Sequence, residues 1–211
     1  MAKLVVDQLD LSGKRVFLRA DFNVPLEGAR VTDDTRITAV RPTIDCCLKG
    51  GAALILASHL GRPKGKPDPK YSLRPVAERI EALLGRPVPL LPDCVGPEVE
   101  ERVRALGPGE MVLLENLRFH AEEEANDDAF ARSLAGLADV YVNDAFAAAH
   151  RAHASTEGIA RHLKPAAAGL LMARELAALE RIFERKNRVV SSAEAEAAGG
   201  VSDILAQKFS L

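Results

Sequence analysis

Short apolar runs that alternate with helix-like stretches place the strongest constraint on how this chain folds. The runs are almost continuously apolar and do not alternate with polar residues, as expected of strands buried on both faces of a parallel sheet. They are RVFLRA (15–20), AALILAS (52–58), VPLL (88–91), MVLLE (111–115) and ADVYVN (138–143). The sequence therefore predicts a largely parallel sheet.

The stretches between these runs have the periodicity of amphipathic helices. TDDTRITAVRPTIDCCLKGG begins with Thr and Asp residues suited to capping and ends at Gly50 and Gly51, and Pro42 predicts a kink or an early break. SLRPVAERIEALLG has Ser72 as its predicted N-cap and Gly85 as its stop. GPEVEERVRALG and NDDAFARSLAGLA follow the same pattern. This order of strands and helices predicts a doubly wound α/β fold.

GLLMARELAALERIFERKNR predicts a long final helix with an apolar stripe. We interpret the stripe as core packing rather than as part of a site. Its members are Leu171, Leu176, Leu179, Ile182 and Phe183. The following residues are rich in Ala, Ser, Gly and Glu, and they are interpreted as an extension or as one short helix, VSDILAQKF.

The composition of the 211-residue chain, 47% hydrophobic and 27% charged, is typical of a soluble globular protein. A net charge of -2 does not favour nucleic acid as a partner, and no apolar run is long enough to span a membrane. The three cysteines predict neither a disulfide framework nor a zinc site. The N-terminus does not resemble a signal peptide, so we expect a cytoplasmic protein without a metal site.

Polar clusters follow four of the predicted strands. RVFL is followed by RADFN (19–23), ALILA by SHLGRP (58–63), MVLL by ENLRFH (115–120) and DVYV by NDAF (143–146). The carboxyl ends of parallel strands share one edge of the sheet, and open α/β sheets bind ligands outside that edge. We therefore expect these clusters to converge on one cleft.

The basic side chains near this edge favour an anionic ligand. Guanidinium groups bind phosphate and carboxylate through paired hydrogen bonds. A single arginine most often forms a surface ion pair, but several at strand ends indicate a ligand with more than one anionic group. The candidates are Arg36, His59, Arg62, Arg118 and Arg151.

Asp21 and Asn23, directly after the first strand, can orient a hydroxyl group. Together with the arginines, they favour a small phosphorylated acid over a sugar or an apolar ligand. No GxGxxG follows a strand, and in GRPKGK the next residue is Pro67, where a phosphate-binding P-loop has Ser or Thr. Arg19 is interpreted as a structural neighbour of the site.

Six strings, in this order and spacing, resemble the N-terminal half of the phosphoglycerate kinase family: RADFNVP, TDDTRI, ASHLGRP, ENLRFHAEEE, YVNDAF and AHRAHAST. GLLMARELAALERI resembles the helix that leads from the first domain of that family to the second. The resemblance implies a three-layer α/β/α fold around a parallel, Rossmann-like sheet. Residues 1–185 would form the domain that binds 3-phosphoglycerate.

The resemblance also implies an activity and residue roles. The complete family enzyme is a glycolytic kinase that transfers a phosphoryl group between 1,3-bisphosphoglycerate and MgADP, giving 3-phosphoglycerate and MgATP. Asp21 and Asn23 would hold the hydroxyl and carboxylate region of the glycerate. Arg36 would face the phosphoryl group in flight and is the catalytic candidate. The residues that would bind the anionic groups are Arg36, His59, Arg62, Arg118 and Arg151.

Residues 186–211 depart from the family pattern. The family's nucleotide-binding domain opens with a GGAKVSDK-like string whose lysines contact phosphates, whereas this chain has Gly199 and Gly200 followed by VSDI. We therefore expect that domain to be missing and Mg-ADP or Mg-ATP not to bind to this chain alone. A smaller departure is Ala147, where the family has glycine, which would strain a backbone with positive φ.

Three functional hypotheses stay open at this point. The chain is an isolated, monomeric substrate-binding domain that binds 3-phosphoglycerate without turnover. Alternatively, a separate chain supplies the missing C-terminal domain and completes the enzyme. In the third hypothesis, the chain is a non-enzymatic scaffold that keeps the fold, in which case its function would survive loss of the basic cleft.

Overall fold

The computed structural model describes residues 4–189, with side chains described as far as residue 182. The strands are β1 (Arg15–Arg19), β2 (Leu26–Glu27), β3 (Arg30–Val31), β4 (Ala53–Ala57), β5 (Met111–Leu113), β6 (Val140–Asn143) and β7 (Ala166–Ala168). The α-helices are α1 (Thr35–Lys49), α2 (Arg74–Leu84), α3 (Pro97–Arg104), α4 (Ala121–Ala125), α5 (Asp128–Ala135), α6 (Ile159–His162) and α7 (Leu170–Val189). Of the predicted tail, 186–211, residues 186–189 belong to α7, and residues 190–211 lie outside the described residues.

Five of the strands form one parallel sheet in the order β5-β4-β1-β6-β7. The chain leaves β1 toward β4 and β5, and it then crosses to β6 on the other side of β1. In register, Arg19 at the end of β1 lies opposite Ala57 of β4 and Asn143 of β6. The predicted parallel sheet is therefore confirmed, and its central strand ends at Arg19.

The two faces of the sheet bury separate cores, because successive side chains of a strand point to opposite faces. Val16 and Leu18 pack in one core with residues of α1 and α2. Phe17, between them, packs in the other core with residues of α3, α5 and α6. Full burial of an apolar side chain of this size stabilises the fold by about 1.5–3 kcal/mol. This arrangement confirms the three-layer α/β/α architecture.

The short strands differ from the predictions. The segment VPLL (88–91) forms only an isolated bridge, between Leu90 and Leu113, because Pro87 and Pro89 have no N–H to donate to a ladder. β7 was not predicted, since its three alanines lack the branched and aromatic side chains that mark a strand. The β2–β3 hairpin was also missed, because strands of two residues show no periodicity.

The first two long helices follow the predictions with two differences. α1 continues through Pro42 to Lys49 and does not break, because its buried face continues on both sides of the proline. Gly85 ends α2 in the left-handed conformation, as predicted. The N-cap of α2 is Leu73 rather than Ser72, although the Ser72 hydroxyl accepts a hydrogen bond from the backbone N–H of Arg74 at 3.2 Å.

Among the described side chains of α7, the fully buried ones lie in its first two turns. Met172 and Leu176 are buried, but 58% of Ile182 is exposed to solvent, so the predicted core stripe is wrong at that position. The side chain of Phe183 lies outside the described part of the chain. Within residues 4–189, no helix combines the length and the low polarity needed to cross a lipid bilayer.

Asp144 fastens the beginning of α7 to the sheet and to α1. It directly follows β6 and is fully buried. Its carboxylate accepts hydrogen bonds from the Thr43 hydroxyl at 2.6 Å and from the Met172 backbone N–H at 2.9 Å. Thr43 Oγ1 in turn accepts from the Leu170 backbone N–H at 2.9 Å. Burial raises the pKa of Asp144, and the hydrogen bonds from Thr43 and Met172 act against that rise.

Replacing Thr43 with valine removes this link at nearly constant volume. Thr43→Val leaves the buried Asp144 carboxylate and the Leu170 N–H each short of a partner, so we expect a loss of about 1–3 kcal/mol in the free energy of unfolding. Urea denaturation measures it. Thr38→Val, on the exposed side of the same helix, is the control and should change stability by less than about 0.5 kcal/mol. Equal effects of the two substitutions would contradict the proposed role of Asp144.

Candidate functional site

The structure brings the predicted site residues to the carboxyl edge of the sheet. Loops after β1, β4, β5 and β6 leave the sheet there, and the change of direction between β5 and β6 makes the β1–β6 edge a topological switch point. Arg36 joins them from the first turn of α1. The residues placed at this edge are Asp21, Asn23, Arg36, His59, Arg62, Arg118 and Arg151.

A chain of polar contacts runs across the cleft from Arg36 to Arg118. The Arg36 guanidinium forms an ion pair with Asp21, whose other carboxylate oxygen accepts from the Asn23 backbone N–H at 3.1 Å. Asn23 Oδ1 accepts from the Gly61 backbone N–H at 2.8 Å. The Gly61 carbonyl then accepts from Arg118 Nη1 at 3.0 Å. Loops from three strands thereby hold one another in place.

Among the residues that form this series of contacts, Gly61 is the one that cannot be replaced without strain. Its φ of +62° is a conformation that L side chains rarely adopt. A Cβ atom at this position would lie 2.5 Å from the ring of Tyr71, so the chain has no room for a side chain. The backbone of Gly61 can therefore serve both Asn23 and Arg118 only as glycine.

Arg118 is a buried guanidinium whose hydrogen-bonding capacity is not met by the protein. Only 4% of the residue is exposed, and its Nε and Nη2 atoms have no hydrogen-bond partner among the described residues. Glu124 Oε1 lies 3.2 Å from Nε as an ion pair without hydrogen-bond geometry. Burial, together with the nearby Arg151 and Arg19, lowers the pKa of Arg118. Unmet buried donors are costly, and an anion would satisfy them.

Arg19 and His59 form the buried floor of the cleft. Arg19 is fully buried and donates to Ser155 Oγ at 2.8 Å and to the Ala20 carbonyl, which makes it the structural residue that the sequence predicted. Its Nη2 lies 3.1 Å from His59 Nδ1. Because a guanidinium can only donate, His59 Nδ1 accepts, and the proton of the imidazole resides on Nε2.

The environment of His59 keeps this imidazole neutral. Burial is the main cause, and the charges of Arg19 and Arg118 add to it, so the pKa of His59 falls to about 2. The pKa of His153 falls to about 4 for the same reasons, burial first and then Arg118 and Arg19. The positive charge of the cleft at neutral pH therefore comes from arginines, while His59 offers a neutral N–H.

Glu123, Ser155 and His153 support the cleft, although none of them is among the predicted site residues. Ser155 Oγ accepts from Arg19 and donates to Glu123 Oε1 at 2.5 Å, while the Ser155 backbone N–H donates to Glu123 Oε2 at 2.9 Å. Burial raises the pKa of Glu123, which is fully buried, and Arg19 opposes the rise. His153 Nδ1 lies 3.8 Å from Glu123 and has no hydrogen-bond partner among the described residues.

The remaining arginines face solvent. Arg62 and Arg151 are exposed, and half of the Arg36 side chain is exposed. Within the described part of the chain, no carboxylate pairs with Arg62 or Arg151, and Arg151 Nε donates a long hydrogen bond of 3.4 Å to His150 Nε2. These guanidinium groups are therefore accessible to a ligand. Arg62 and Arg151 therefore do not form the surface ion pairs in which a single arginine is most often found.

Two cavities of the fold suit an anion less well than this cleft does, and one of them borders the cleft. A cavity of about 300 Å³ between α1 and α7 contacts Arg36, but its lining also includes the carboxylates of Asp21, Asp144 and Glu175. A cleft of about 460 Å³ beside β5 and α3 is mainly apolar and contains none of the predicted site residues.

A model of the phosphoglycerate kinase family matches residues 6–193. The chain belongs to the phosphoglycerate kinase family. It is 64% identical over 179 residues to the phosphoglycerate kinase of Moorella thermoacetica, covering 85% of this chain and 45% of the relative. It is 60% identical over 189 residues to that of Desulforudis audaxviator, covering 89% and 48%. The chain thus spans about half the length of these curated relatives.

Solved structures of phosphoglycerate kinases share the fold. The structure from Coxiella burnetii has a TM-score of 0.77 at 40% identity and covers 85% of this chain and 45% of its own. That from Pyrococcus horikoshii has a TM-score of 0.77 at 34% identity, with coverage of 84% and 45%. Both show the parallel α/β architecture implied by the sequence strings.

The departure at Ala147 from the usual phosphoglycerate kinase glycine carries no backbone strain. Ala147 lies in the 3-10 turn Phe146–Ala148 and is not among the described residues with positive φ. The expected conflict is therefore absent at this position.

Gly61→Ala tests the close approach at the centre of the cleft. We expect it to lower the free energy of unfolding by at least about 1 kcal/mol more than Gly85→Ala does, because only the first adds a clash. The control is matched, since Gly85 has a φ of +64° and no neighbour within 4 Å of a built Cβ. Urea denaturation of both variants measures the difference, and equal losses would show that Tyr71 yields freely.

NMR of the imidazole nitrogens tests the charge state of the cleft. At pH 6, His59 should be neutral with the proton on Nε2, because its pKa is about 2. His120 should be largely protonated, since the hydrogen bond to Asp93 raises its pKa. Because an unfolded His59 titrates near 6.5, this group should lower stability as the pH falls below that value. A charged His59 at pH 6 would refute this account of the cleft.

Proposed function

We propose that the chain binds 3-phosphoglycerate and 1,3-bisphosphoglycerate and forms the glycerate-binding part of a phosphoglycerate kinase. The observation that carries this proposal is the buried Arg118, with two guanidinium nitrogens that have no hydrogen-bond partner among the described residues. Arg151, near Arg118, and Arg62, the residue after Gly61, have no carboxylate partner in the same part of the chain. A ligand with two anionic groups satisfies all three.

In this proposal, each residue of the cleft has a distinct role. Arg118, Arg62 and Arg151 bind phosphate and carboxylate oxygens through paired N–H donors. His59 donates its Nε2 proton as a neutral group, which adds a hydrogen bond without adding charge. Arg19 acts through His59, as a positioning residue that fixes its tautomer.

Asp21, Asn23 and Arg36 form the second wall. Asp21 holds Arg36 by an ion pair, and Asn23 Oδ1 is held by the Gly61 N–H, so the Asn23 amide nitrogen points away as a donor. In this proposal, the Asn23 amide and the Asp21 carboxylate hold the glycerate hydroxyl region. Arg36, the catalytic candidate, stabilises charge on the transferring phosphoryl oxygens, because phosphoryl transfer relies mainly on position and positive charge.

The described residues do not fit a magnesium nucleotide. The carboxylates nearest the cleft are already engaged, Asp21 by Arg36, Glu123 by Ser155 and Asp144 by Thr43. The residues around Gly199 and Gly200, where the family string would lie, are outside the described part of the chain. We therefore assign to this chain the binding and orientation of the glycerate alone.

Titration calorimetry with 3-phosphoglycerate tests the proposal on the full 211-residue chain. Arg62→Ala and Arg151→Ala should each weaken binding about 10- to 100-fold, because a hydrogen bond to a charged group contributes about 1.5–3 kcal/mol. Arg132→Ala is the control, an exposed arginine paired with Asp128 on α5. It should bind like the unaltered chain.

The outcomes separate the functional hypotheses. A folded chain that releases no heat at millimolar ligand would reject glycerate binding and leave the scaffold hypothesis. Binding without turnover would support an isolated substrate-binding domain. Turnover that appears only after addition of a nucleotide-binding domain would support a two-chain enzyme.

A further inference from the structure

A second cluster of reactive side chains lies outside the anion cleft, between the segment before α3 and the segment after β5. Asp93, Cys94 and His120 bring a carboxylate oxygen, a thiol sulfur and an imidazole nitrogen within 4.8 Å of one another. The first two precede α3, and His120 follows the 3-10 turn after β5. Sequence spacing could not reveal this cluster, because its members come from separate segments that meet only in the fold.

The surrounding contacts hold these groups in place. His120 Nε2 is 2.7 Å from Asp93 Oδ1, and the His120 ring stacks on Phe130 with centroids 5.1 Å apart. Asp93 Oδ1 also accepts from the Cys94 backbone N–H at 2.6 Å. The Glu115 backbone N–H donates to the Asp93 carbonyl at 3.3 Å, so the two segments are also tied through their backbones.

We propose that Asp93, Cys94 and His120 form a zinc-binding site. A thiolate, an imidazole and a carboxylate are the ligand types that zinc prefers, and a site with three protein ligands leaves one position for water. The metal ion takes the place of the proton shared by Asp93 and His120. Binding also releases the proton of the Cys94 thiol to solvent, so that the sulfur binds as thiolate.

The geometry permits this exchange with small movements. Zinc–ligand bonds of about 2.0–2.3 Å place tetrahedral ligand atoms about 3.3–3.8 Å apart. The Asp93–His120 pair must open from 2.7 Å, and the widest separation in the cluster must close from at most 4.8 Å. Both changes are on the order of 1 Å, which side-chain rotation provides.

An ion can reach the cluster from solvent. The Asp93 side chain is 47% exposed and that of His120 is 27% exposed, whereas Cys94 is fully buried. The two accessible ligands therefore face water, and the thiol lies beneath them. A bound ion would cross-link the segment before α3 to the segment after β5, and it would stabilise the fold by mass action.

The chain contains matched controls for each ligand type. His162 Nε2 lies 2.6 Å from Asp128, which reproduces the Asp93–His120 hydrogen bond without a third ligand among the described residues. Cys46 is a free, half-buried cysteine on α1. Since all five histidines and all three cysteines lie within residues 4–189, no other His or Cys competes from outside the described part.

Cobalt substitution and zinc competition test the site on the full chain. With Co²⁺ alone as the probe, we expect one ion per chain, a thiolate-to-cobalt charge-transfer band and visible bands of tetrahedral intensity. Zn²⁺ should abolish these bands. Cys94→Ser and His120→Gln should each weaken metal binding by at least about 100-fold, since even removal of an outer-shell partner costs about 10- to 100-fold.

Circular dichroism without metal shows whether Cys94→Ser folds. If it does not, His120→Gln still tests the site, because His120 is partly exposed. His162→Gln and Cys46→Ser should retain the full cobalt spectrum. A cobalt complex without the charge-transfer band, or unchanged affinity in His120→Gln, would overturn the proposal. Loss of binding in His162→Gln would place the metal elsewhere and would also overturn it. None of these outcomes depends on whether the chain binds 3-phosphoglycerate.

Discussion

The buried guanidinium of Arg19 is the interaction on which the cleft depends. It ends the central strand, and its contacts reach the loops that follow β4 and β6, through His59 and Ser155 respectively. The backbone carbonyl of Arg19 accepts a hydrogen bond from the Asp144 N–H at 2.8 Å, and Asp144 begins the polar turn after β6. A charge that lies fully inside the fold must be satisfied from several directions, so loops distant in sequence are drawn to one point. The arginines that we propose to bind the ligand lie around this frame.

The same frame explains the division of labour between charged and neutral groups. Burial of His59, with Arg19 and Arg118 beside it, lowers the pKa of the imidazole to about 2 and keeps the ring neutral at physiological pH. The neutral His59 can then donate a hydrogen bond through its Nε2–H. The exposed arginines supply positive charge at the surface of the cleft, and they are Arg36, Arg62 and Arg151. Glu123 offsets part of the buried positive charge through Ser155. A cleft built in this way keeps its electrostatic character across the physiological pH range.

The parts of this molecule that follow from sequence are those with a local signal. Apolar runs identified β1, β4, β5 and β6, and the polar clusters after them identified the edge where the cleft lies. The strand β7 was not predicted, because its alanines lack the side chains typical of a strand. The segment VPLL was predicted as a strand but forms only a bridge, because its prolines cannot donate the hydrogen bonds of a ladder. Arg118 is buried by segments that are distant in sequence, one of which contacts it through the Gly61 carbonyl, and no local pattern encodes such packing or the donors it leaves unmet. The cluster of Asp93, Cys94 and His120 was also not predicted, because its members come from segments that meet only in the fold.

The anchorage of α7 has a mechanical consequence. The helix has 20 residues and is hydrogen-bonded to the rest of the fold at its first turn, while Ile182 near its other end is exposed. At a rise of 1.5 Å per residue it is about 30 Å long, so a tilt of about 5° about the first turn displaces the far end by about 2.6 Å. Asp144 and Thr43 are the fulcrum of that lever, and Thr43 belongs to the helix that carries Arg36. A displacement of the distal end of α7 would therefore act on Thr43, and through it on the helix that carries Arg36, the catalytic candidate.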